Sequence, residues 1–129
     1  MAHSFNSAGH AVLVVEDDAL LRADAVDLCI EAGFTAYEAK NAAQAIRQLE
    51  LHPDICVLFT DVEMPGSMNG LKLARAVRDR WPPVSIMVTS GRVTVTQDEM
   101  PANGLFFSKP YLPDAIIMAL NGIATQNQS

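Results

Sequence analysis

The chain has 129 residues, half of them hydrophobic, and a formal net charge of −6. This length suits about one domain with a core of its own, and the composition is that of a globular protein rather than a disordered one. The acidic balance, with only nine basic residues, argues against nucleic acid as a partner, because binding a phosphate backbone requires clustered lysine and arginine.

Targeting and membrane signals are missing from the sequence. No apolar stretch approaches the roughly 20 residues that a membrane span requires, and residues 1–10 lack the basic and hydrophobic regions of a signal peptide. We therefore expect a cytoplasmic protein with no membrane partner, with one domain over residues 11–124 and flexible polar tails over residues 1–10 and 125–129. Cys29 and Cys56 lie in apolar-periodic segments and are predicted to be buried thiols.

Short apolar runs alternate along the chain with segments of helical period. The runs that predict strands are Val12–Val15, Phe34–Ala39, Ile55–Thr60, Val84–Val88 and Leu105–Phe107. The periodic segments that predict helices are residues 21–32, 42–49, 71–81 and 113–123. Gly33 is placed to end the first helix, and Asn41 and Asn69 are placed to cap the next two. This alternation predicts an α/β fold with a parallel sheet and helices on both of its faces.

The segment Arg92–Met100 departs from the pattern. A helix is expected between the last two strands, yet Val93-Thr94-Val95-Thr96 is β-branched throughout, and Pro101 follows. Because β-branched residues disfavour helix, we expect an atypically short or irregular fourth helix here.

Polar side chains follow four of the predicted strands. They are Glu16-Asp17-Asp18, Asp61, Thr89-Ser90 and Ser108-Lys109. In an open parallel sheet the carboxyl ends of the strands form the ligand-binding edge. Asp17 and Asp61 supply the oxygen ligands that Mg²⁺ prefers, and Glu16 could join them directly or through a water. Solvation in a loop would explain a single acid at a strand end. It does not explain two neighbouring acidic clusters that face a lysine and a threonine.

Such an edge suits the transfer of a phosphoryl group. A carboxylate beside a metal can attack phosphorus and form an acyl phosphate, provided that donors neutralise the phosphoryl oxygens. Mg²⁺, the Lys109 ammonium and the Thr89 hydroxyl could each bind one of these oxygens. Pro110 restricts the backbone before it and so helps to direct Lys109.

In this order the motifs resemble the receiver domain of two-component response regulators. The segments that carry the resemblance are Val14-Val15-Glu16-Asp17-Asp18, Thr60-Asp61-Val62-Glu63-Met64-Pro65 with Gly70-Leu71, Val88-Thr89-Ser90-Gly91, and Lys109-Pro110. The resemblance covers about residues 11 to 124. It implies a flavodoxin-like, doubly wound, five-stranded parallel sheet in the order 2-1-3-4-5.

The resemblance also implies the roles of individual residues. Asp61 would accept a phosphoryl group from a phosphohistidine of a histidine kinase or phosphotransfer protein. Glu16 and Asp17 match the acidic pair that binds Mg²⁺ with Asp61, and the backbone carbonyl of Glu63 matches the third metal contact. Thr89 matches the switch hydroxyl and Lys109 the phosphate-contacting lysine.

Phe106 matches the aromatic residue that changes rotamer on activation, and an ordinary core phenylalanine explains it equally well. The chain departs from the family pattern in its short spacing from Thr89 to Lys109, in a longer loop at Met64–Gly70, and at Glu63. We hypothesise that the bulky acid at position 63 slows self-dephosphorylation by crowding the attacking water.

The expected function is that of a stand-alone, single-domain response regulator, not an enzyme beyond its own phosphorylation and dephosphorylation. No effector domain is expected after the last helix, so output would pass through an unknown downstream protein or a phosphorelay. With Ile117 and Met118, the last predicted helix carries more apolar residues than one buried face requires. A partner or dimer surface and burial under neighbouring elements both explain these two residues. The alternatives are a phosphate sink, a phosphorylation-independent adaptor and, less well supported, an aspartyl-phosphate phosphatase.

Overall fold

A computed structural model of the chain describes residues 10–64, 66, 68–92 and 94–128. The predicted N-terminal tail therefore lies outside the described residues, except for His10. Pro65 and Ser67, which belong to the predicted loop Met64–Gly70, also lie outside them, as do Val93 and the last residue of the predicted C-terminal tail, Ser129. None of the helices in the described ranges combines the length and apolar character that a membrane span requires.

Five strands form one parallel sheet, and four α-helices cover it. The strands are β1 (Ala11–Val15), β2 (Thr35–Ala39), β3 (Ile55–Asp61), β4 (Ser85–Ser90) and β5 (Leu105–Ser108). The helices are α1 (Ala19–Glu31), α2 (Ala42–Leu51), α3 (Gly70–Arg80) and α4 (Pro113–Gln128). The sheet has the order β2-β1-β3-β4-β5 with every neighbouring pair parallel, which confirms the predicted doubly wound fold.

The core has two layers, one on each face of the sheet, because successive strand residues point to opposite faces. Leu13 and Leu58 face α2 and α3, where Leu73 and Val77 are fully buried. Val12, Val14 and Val57 face α1 and α4, where Cys29, Ile116 and Leu120 are fully buried. Buried Cys29 and half-buried Cys56 form no disulfide, as predicted, and burial raises the pKa of the Cys29 thiol to about 12.

Side-chain caps begin three of the helices, and a glycine follows the end of α1. The side chains of Asn41 and Asn69 accept hydrogen bonds from Gln44 N and Lys72 N, which confirms both predicted caps. Asp18 caps α1 by accepting from the amides of Leu20 and Leu21. Gly33 has a φ of +93°, the left-handed conformation that ends α1 after Ala32.

The last helix is longer than the sequence predicts. It continues past Ile123 to Gln128, so most of the segment predicted as a C-terminal tail is helical. No glycine or proline interrupts residues 124–128, and the Thr125 hydroxyl donates to the carbonyl of Asn121 at 3.0 Å. Of the two residues proposed for a partner surface, Met118 is 72% exposed and Ile117 is half-buried.

The crossover from β4 to β5 contains no α-helix among its described residues. Its only regular element is a single 3-10 turn, Gln97–Glu99, in which the Glu99 carboxylate accepts from Thr96. Val95 and Met100 are buried in the core on the α3 side. This agrees with the short or irregular helix that the β-branched residues and Pro101 predict.

Candidate functional site

The carboxyl ends of β1, β3, β4 and β5 bring the predicted residues to one edge of the sheet. The strand register aligns Val15 with Thr60, Asp61 with Thr89, and Ser90 with Ser108. Glu16 and Lys109 are the next residues after β1 and β5. Glu16, Asp61 and Thr89 are buried, although all three are polar. Because buried polar groups are costly unless they are paired, the edge has a preference for charged or polar ligands.

Three carboxylates converge at this edge. Glu16, Asp17 and Asp61 each place an oxygen within 4.8 Å of the others, with Asp17 exposed and the other two buried. Oδ1 of Asp61 is buried and has no hydrogen-bond partner within the described part of the chain. A hard cation would satisfy this oxygen and relieve the repulsion between the three charges. The residues therefore fit a Mg²⁺ site of the kind that the sequence predicts.

The Lys109 ammonium lies between two of these carboxylates. Its Nζ atom is 2.9 Å from Oε1 of Glu16 and 3.2 Å from Oδ2 of Asp61. Burial lowers the pKa of Lys109, but its hydrogen bond to Glu16 and the charges of Asp61 and Glu16 outweigh burial, so the pKa is raised overall. Lys109 is thus a permanent cation that touches the predicted acceptor. The Lys109–Pro110 peptide bond is cis.

The Asp61 carboxyl has a strongly perturbed acidity. Burial first, and then the negative charge of Glu16, raise its pKa from 3.8 to about 6, while Lys109 acts in the opposite direction. A carboxylate that is poorly solvated and only partly paired is a better nucleophile than one in water.

Thr89 and Glu63 lie close to Asp61, and the Glu63 side chain has two specific partners. The Thr89 carbonyl accepts from the amide of Val62 at 2.8 Å, which joins the two strand ends. The Glu63 carboxylate accepts from the Ser90 hydroxyl at 2.5 Å and from the Gly91 amide at 3.2 Å. It is therefore bound to the loop after β4, where it also contributes negative charge near Asp61.

Phe106 is half-buried and packs against the core layer that contains α2 and α3. It pairs in register with Val88, the residue before Thr89. Phe106 therefore lies on the strand next to the one that carries Thr89. A switch aromatic and an ordinary core phenylalanine both agree with that position.

The supporting contacts of two residues were not predicted. Arg22 of α1 donates from Nη1 to the carbonyl of Glu16 at 2.9 Å and forms an ion pair with Glu38. Gly70, the first residue of α3, packs against the backbone of Asp61 and Val62. No pattern in the sequence distinguishes Arg22 from the other arginines. Gly70 belongs to a motif that carries the family resemblance, and its contact with the Asp61 backbone could have been predicted, because a glycine that begins a helix beside a site often marks a close backbone approach.

A cavity of about 680 Å³ lies beside Asp61 and is bounded by α1 and by the segment that follows β5. Asp61, Thr89 and Lys109 line it. Leu21, Leu28 and Tyr111 also line it, as do the acidic residues Asp24 and Asp27. The cavity is much larger than a metal ion and a phosphoryl group need, and its lining is largely apolar.

The chain belongs to the family of response regulator receiver domains. The family model described as "Response regulator receiver domain" matches residues 12–121, nearly the whole domain.

Individual relatives agree with this assignment. The chain is 29% identical over 117 residues to the chemotaxis protein CheY of Bacillus subtilis, which covers 87% of this chain and 95% of CheY. It is 30% identical over 114 residues to the hydrogenase transcriptional regulatory protein HoxA of Cupriavidus necator, covering 83% of this chain but only 23% of HoxA. The crystal structure of a response regulator receiver protein from Sinorhizobium medicae superposes with a TM-score of 0.84 at 23% identity, over 95% of this chain and 98% of that one.

Proposed function

We propose that this receiver domain takes a phosphoryl group onto Asp61 from a phosphohistidine of a histidine kinase or phosphotransfer protein. The observation that carries the proposal is the environment of the Asp61 carboxylate. One oxygen is bound to Lys109, and the other is buried and lacks a partner among the described residues. Family membership supports the same reading.

The transfer would form a bond between an Asp61 oxygen and phosphorus while the bond from phosphorus to the imidazole nitrogen breaks. The imidazole leaves with the electron pair of that bond and takes up a proton. Negative charge stays on the three equatorial oxygens, so catalysis depends on groups held in place to neutralise it. Lys109 is already at the acceptor to bind one of these oxygens, and the Thr89 hydroxyl is proposed to bind another.

Glu16, Asp17 and Asp61, with the backbone carbonyl of Glu63, are proposed to hold Mg²⁺. A bound Mg²⁺ supplies positive charge for the phosphoryl oxygens. The side chains provide the ligands that Mg²⁺ prefers, and the partnerless Oδ1 of Asp61 is consistent with a cation at that position.

The cavity favours a protein as the phosphodonor. Leu21 lines the cavity and is 44% exposed, and the exposed side chains of Leu20 and Leu112 belong to residues that are adjacent in sequence to lining residues. Exposed apolar patches of this kind are typical of interaction sites, and a phosphohistidine carried on a helix would bring its own apolar side chains to these residues. Asp24 and Asp27 would favour basic residues on that helix.

We further propose that the domain acts in the cytoplasm as a response regulator whose output passes to a downstream protein or along a phosphorelay. Phe106 is proposed as the switch aromatic, and Ile117 and Met118 as part of a partner or homodimer surface. The exposure of Met118 supports such a surface. The five residues Glu16, Asp17, Asp61, Thr89 and Lys109 remain together at the site, which disfavours an adaptor that works without phosphorylation.

Intact mass spectrometry tests the acceptor directly. The protein is incubated with Mg²⁺ and acetyl phosphate, and we expect one phosphoryl adduct that hydroxylamine removes. Asp61→Ala should abolish the adduct, and Asp24→Ala, which removes an exposed carboxylate that lines the same cavity, should leave it unchanged. An adduct that persists in Asp61→Ala, or its absence from the wild type, would contradict the proposal.

A further inference from the structure

Arg22 is a largely buried cation that the proposed reaction does not use. Its side chain is only 14% exposed, although it lies in the first turn and a half of α1, next to the acidic edge. Its guanidinium is engaged in two directions. Nη1 donates to the backbone carbonyl of Glu16 at 2.9 Å, and Nε lies 2.9 Å from Oε1 of Glu38.

The contact with Glu16 is one of several hydrogen bonds that fix the loop from Glu16 to Asp18. The Asp18 side chain caps α1, and the Asp18 amide donates to Oε2 of Glu16 at 3.1 Å. Arg22, one turn further along the same helix, reaches back to the Glu16 carbonyl. The Glu16 amide meanwhile donates to the carbonyl of Ala39 in β2. Both backbone polar groups of Glu16 are thus fixed.

Asp17 lies between these two fixed residues and is itself exposed. Its carboxylate reaches the cluster only if the backbone on both sides of it holds the loop in this conformation. Glu38 in turn fixes Arg22, because the ion pair joins the guanidinium to β2. Neither contact of Arg22 is with a carboxylate of the cluster, because at Glu16 it binds the backbone carbonyl, so any effect of Arg22 on the cluster must act through the loop.

We propose that Arg22 is a positioning residue for the metal site: it holds the Glu16–Asp18 loop in the conformation in which Glu16 and Asp17 bind Mg²⁺ together with Asp61. The inference rests on the proposed function in that it assigns a role toward the same metal. Arginine suits this role because its planar fork donates in two fixed directions at once, whereas lysine offers a point charge on a flexible stem. Residues that orient metal ligands typically change metal affinity by about 10- to 100-fold when they are replaced.

The sign of the effect separates positioning from charge. Arg22→Ala removes a positive charge near the cluster, so electrostatics alone would make Mg²⁺ bind more tightly. Positioning predicts the reverse, because the loop loses the bond that fixes it. Arg22→Lys keeps the charge and loses the fork, and positioning predicts weaker binding for this variant as well.

Calorimetric titration of the full chain with Mg²⁺ alone provides the test. We expect the Kd for Mg²⁺ to rise roughly tenfold in Arg22→Ala and Arg22→Lys. Arg80→Ala is the matched control, since Arg80 also pairs with a glutamate, Glu50, but on an exposed surface between α2 and α3. Its Kd should equal that of the wild type. Arg22 variants that bind Mg²⁺ as tightly as the wild type, or more tightly, would overturn the proposal.

Hydrogen exchange without metal gives a second readout and covers the event that Arg22→Ala folds poorly. In Arg22→Lys, the amides of Glu16 and Asp18 should exchange faster while those of β4 are unchanged; unchanged exchange at Glu16 and Asp18 would overturn the role. Because no phosphodonor is present, both measurements judge Arg22 even if Asp61 fails to accept phosphate. If the wild type accepts phosphate, Arg22→Lys should be phosphorylated more slowly at low Mg²⁺ and at the wild-type rate at saturating Mg²⁺. A slower rate of phosphorylation that persists at saturating Mg²⁺ would contradict the positioning role.

Discussion

Gly70 packs so closely against Asp61 that a side chain at position 70 would overlap the Asp61 carbonyl oxygen. A Cβ atom there would lie 2.7 Å from the carbonyl carbon of Asp61, a distance that real Cβ atoms do not reach. The Gly70 amide also donates to the carbonyl of Val62 at 3.0 Å. The first residue of α3 therefore packs directly on the backbone of Asp61, the proposed acceptor.

Gly70→Ala should destabilise the fold by roughly 2–3 kcal/mol, because the added methyl meets backbone atoms, which cannot rotate away. Urea unfolding followed by far-UV circular dichroism measures the change. Gly122→Ala is the control: it lies in α4 with nothing within 4 Å of the added methyl, and it should stabilise the protein by about 0.5–1 kcal/mol. Equal effects of the two substitutions would show that the contact with Asp61 does not constrain position 70.

Asp61→Asn should stabilise the metal-free protein at neutral pH. The raised pKa of about 6 means that the folded state binds more protons than the unfolded state between about pH 4 and 6, so stability falls as pH rises through this window. Removing the charge should raise the free energy of unfolding by about 2–3 kcal/mol at pH 7.5, and this gain should shrink towards pH 4.

Urea titrations with a chelator at several pH values measure this difference. Asp79→Asn, which replaces an exposed carboxylate of α3, should show no comparable gain. A gain that is independent of pH would mean that ionisation of Asp61 is not its cause.

Glu63→Ala should shorten the lifetime of the phosphorylated protein. The Glu63 carboxylate is bound by Ser90 and Gly91 beside the acceptor, where it occupies space and carries negative charge that an attacking water must approach. We expect roughly a fivefold faster loss of phosphate, equivalent to about 1 kcal/mol in the barrier. Loss of the adduct is followed by intact mass after the phosphodonor is removed, with Glu31→Ala, an exposed glutamate on α1, as the control. An unchanged lifetime in Glu63→Ala would refute the hypothesis.

Arg78→Ala should loosen the crossover between β4 and β5. Arg78 donates to the carbonyls of Pro82 and Ala102, at 2.9 and 2.8 Å, and Arg75 donates to the carbonyl of Glu99 at 2.9 Å. Hydrogen bonds from a charged donor contribute about 1.5–3 kcal/mol when they are shielded, and less where solvent competes, so we expect a loss of about 1–2 kcal/mol.

The change should be local. Amide exchange at Gly104, which donates to Pro101 at the end of the crossover, should accelerate, while exchange in β1 and β3 should follow only the global loss of stability. Arg80→Ala is again the comparison, because Arg80 pairs with exposed Glu50 and stacks on Trp81 without contacting the crossover in any described interaction. Equal acceleration in both variants would argue against the anchoring role.

The sequence predicts the sheet, and the convergence of polar residues at its carboxyl edge, because both follow from short-range patterns. Continuous apolar runs mark strands that are covered on both faces, and the residue after each run must lie at the carboxyl edge. Glu16, Asp61, Thr89 and Lys109 could therefore be placed together without any knowledge of packing.

Features that depend on contacts between distant elements were not predictable. Leu21 belongs to the apolar period of α1 yet is 44% exposed, because it lines the cavity beside Asp61. Arg22 acquires its role from Glu38, which is sixteen residues away in sequence. The length of α4 was underestimated because polar residues after Ile123 signal the end of burial, and helices continue past burial where no residue interrupts them.

Arg78 donates to the backbone carbonyl of Ala102 and does not bind the Ala102 side chain, so this hydrogen bond does not depend on which amino acid stands at position 102. Every amino acid carries a carbonyl oxygen, so evolution can replace the exposed residue at position 102 without removing the anchor. Substitutions at position 102 should therefore leave the hydrogen bond from Arg78 in place, and the crossover should keep its stability.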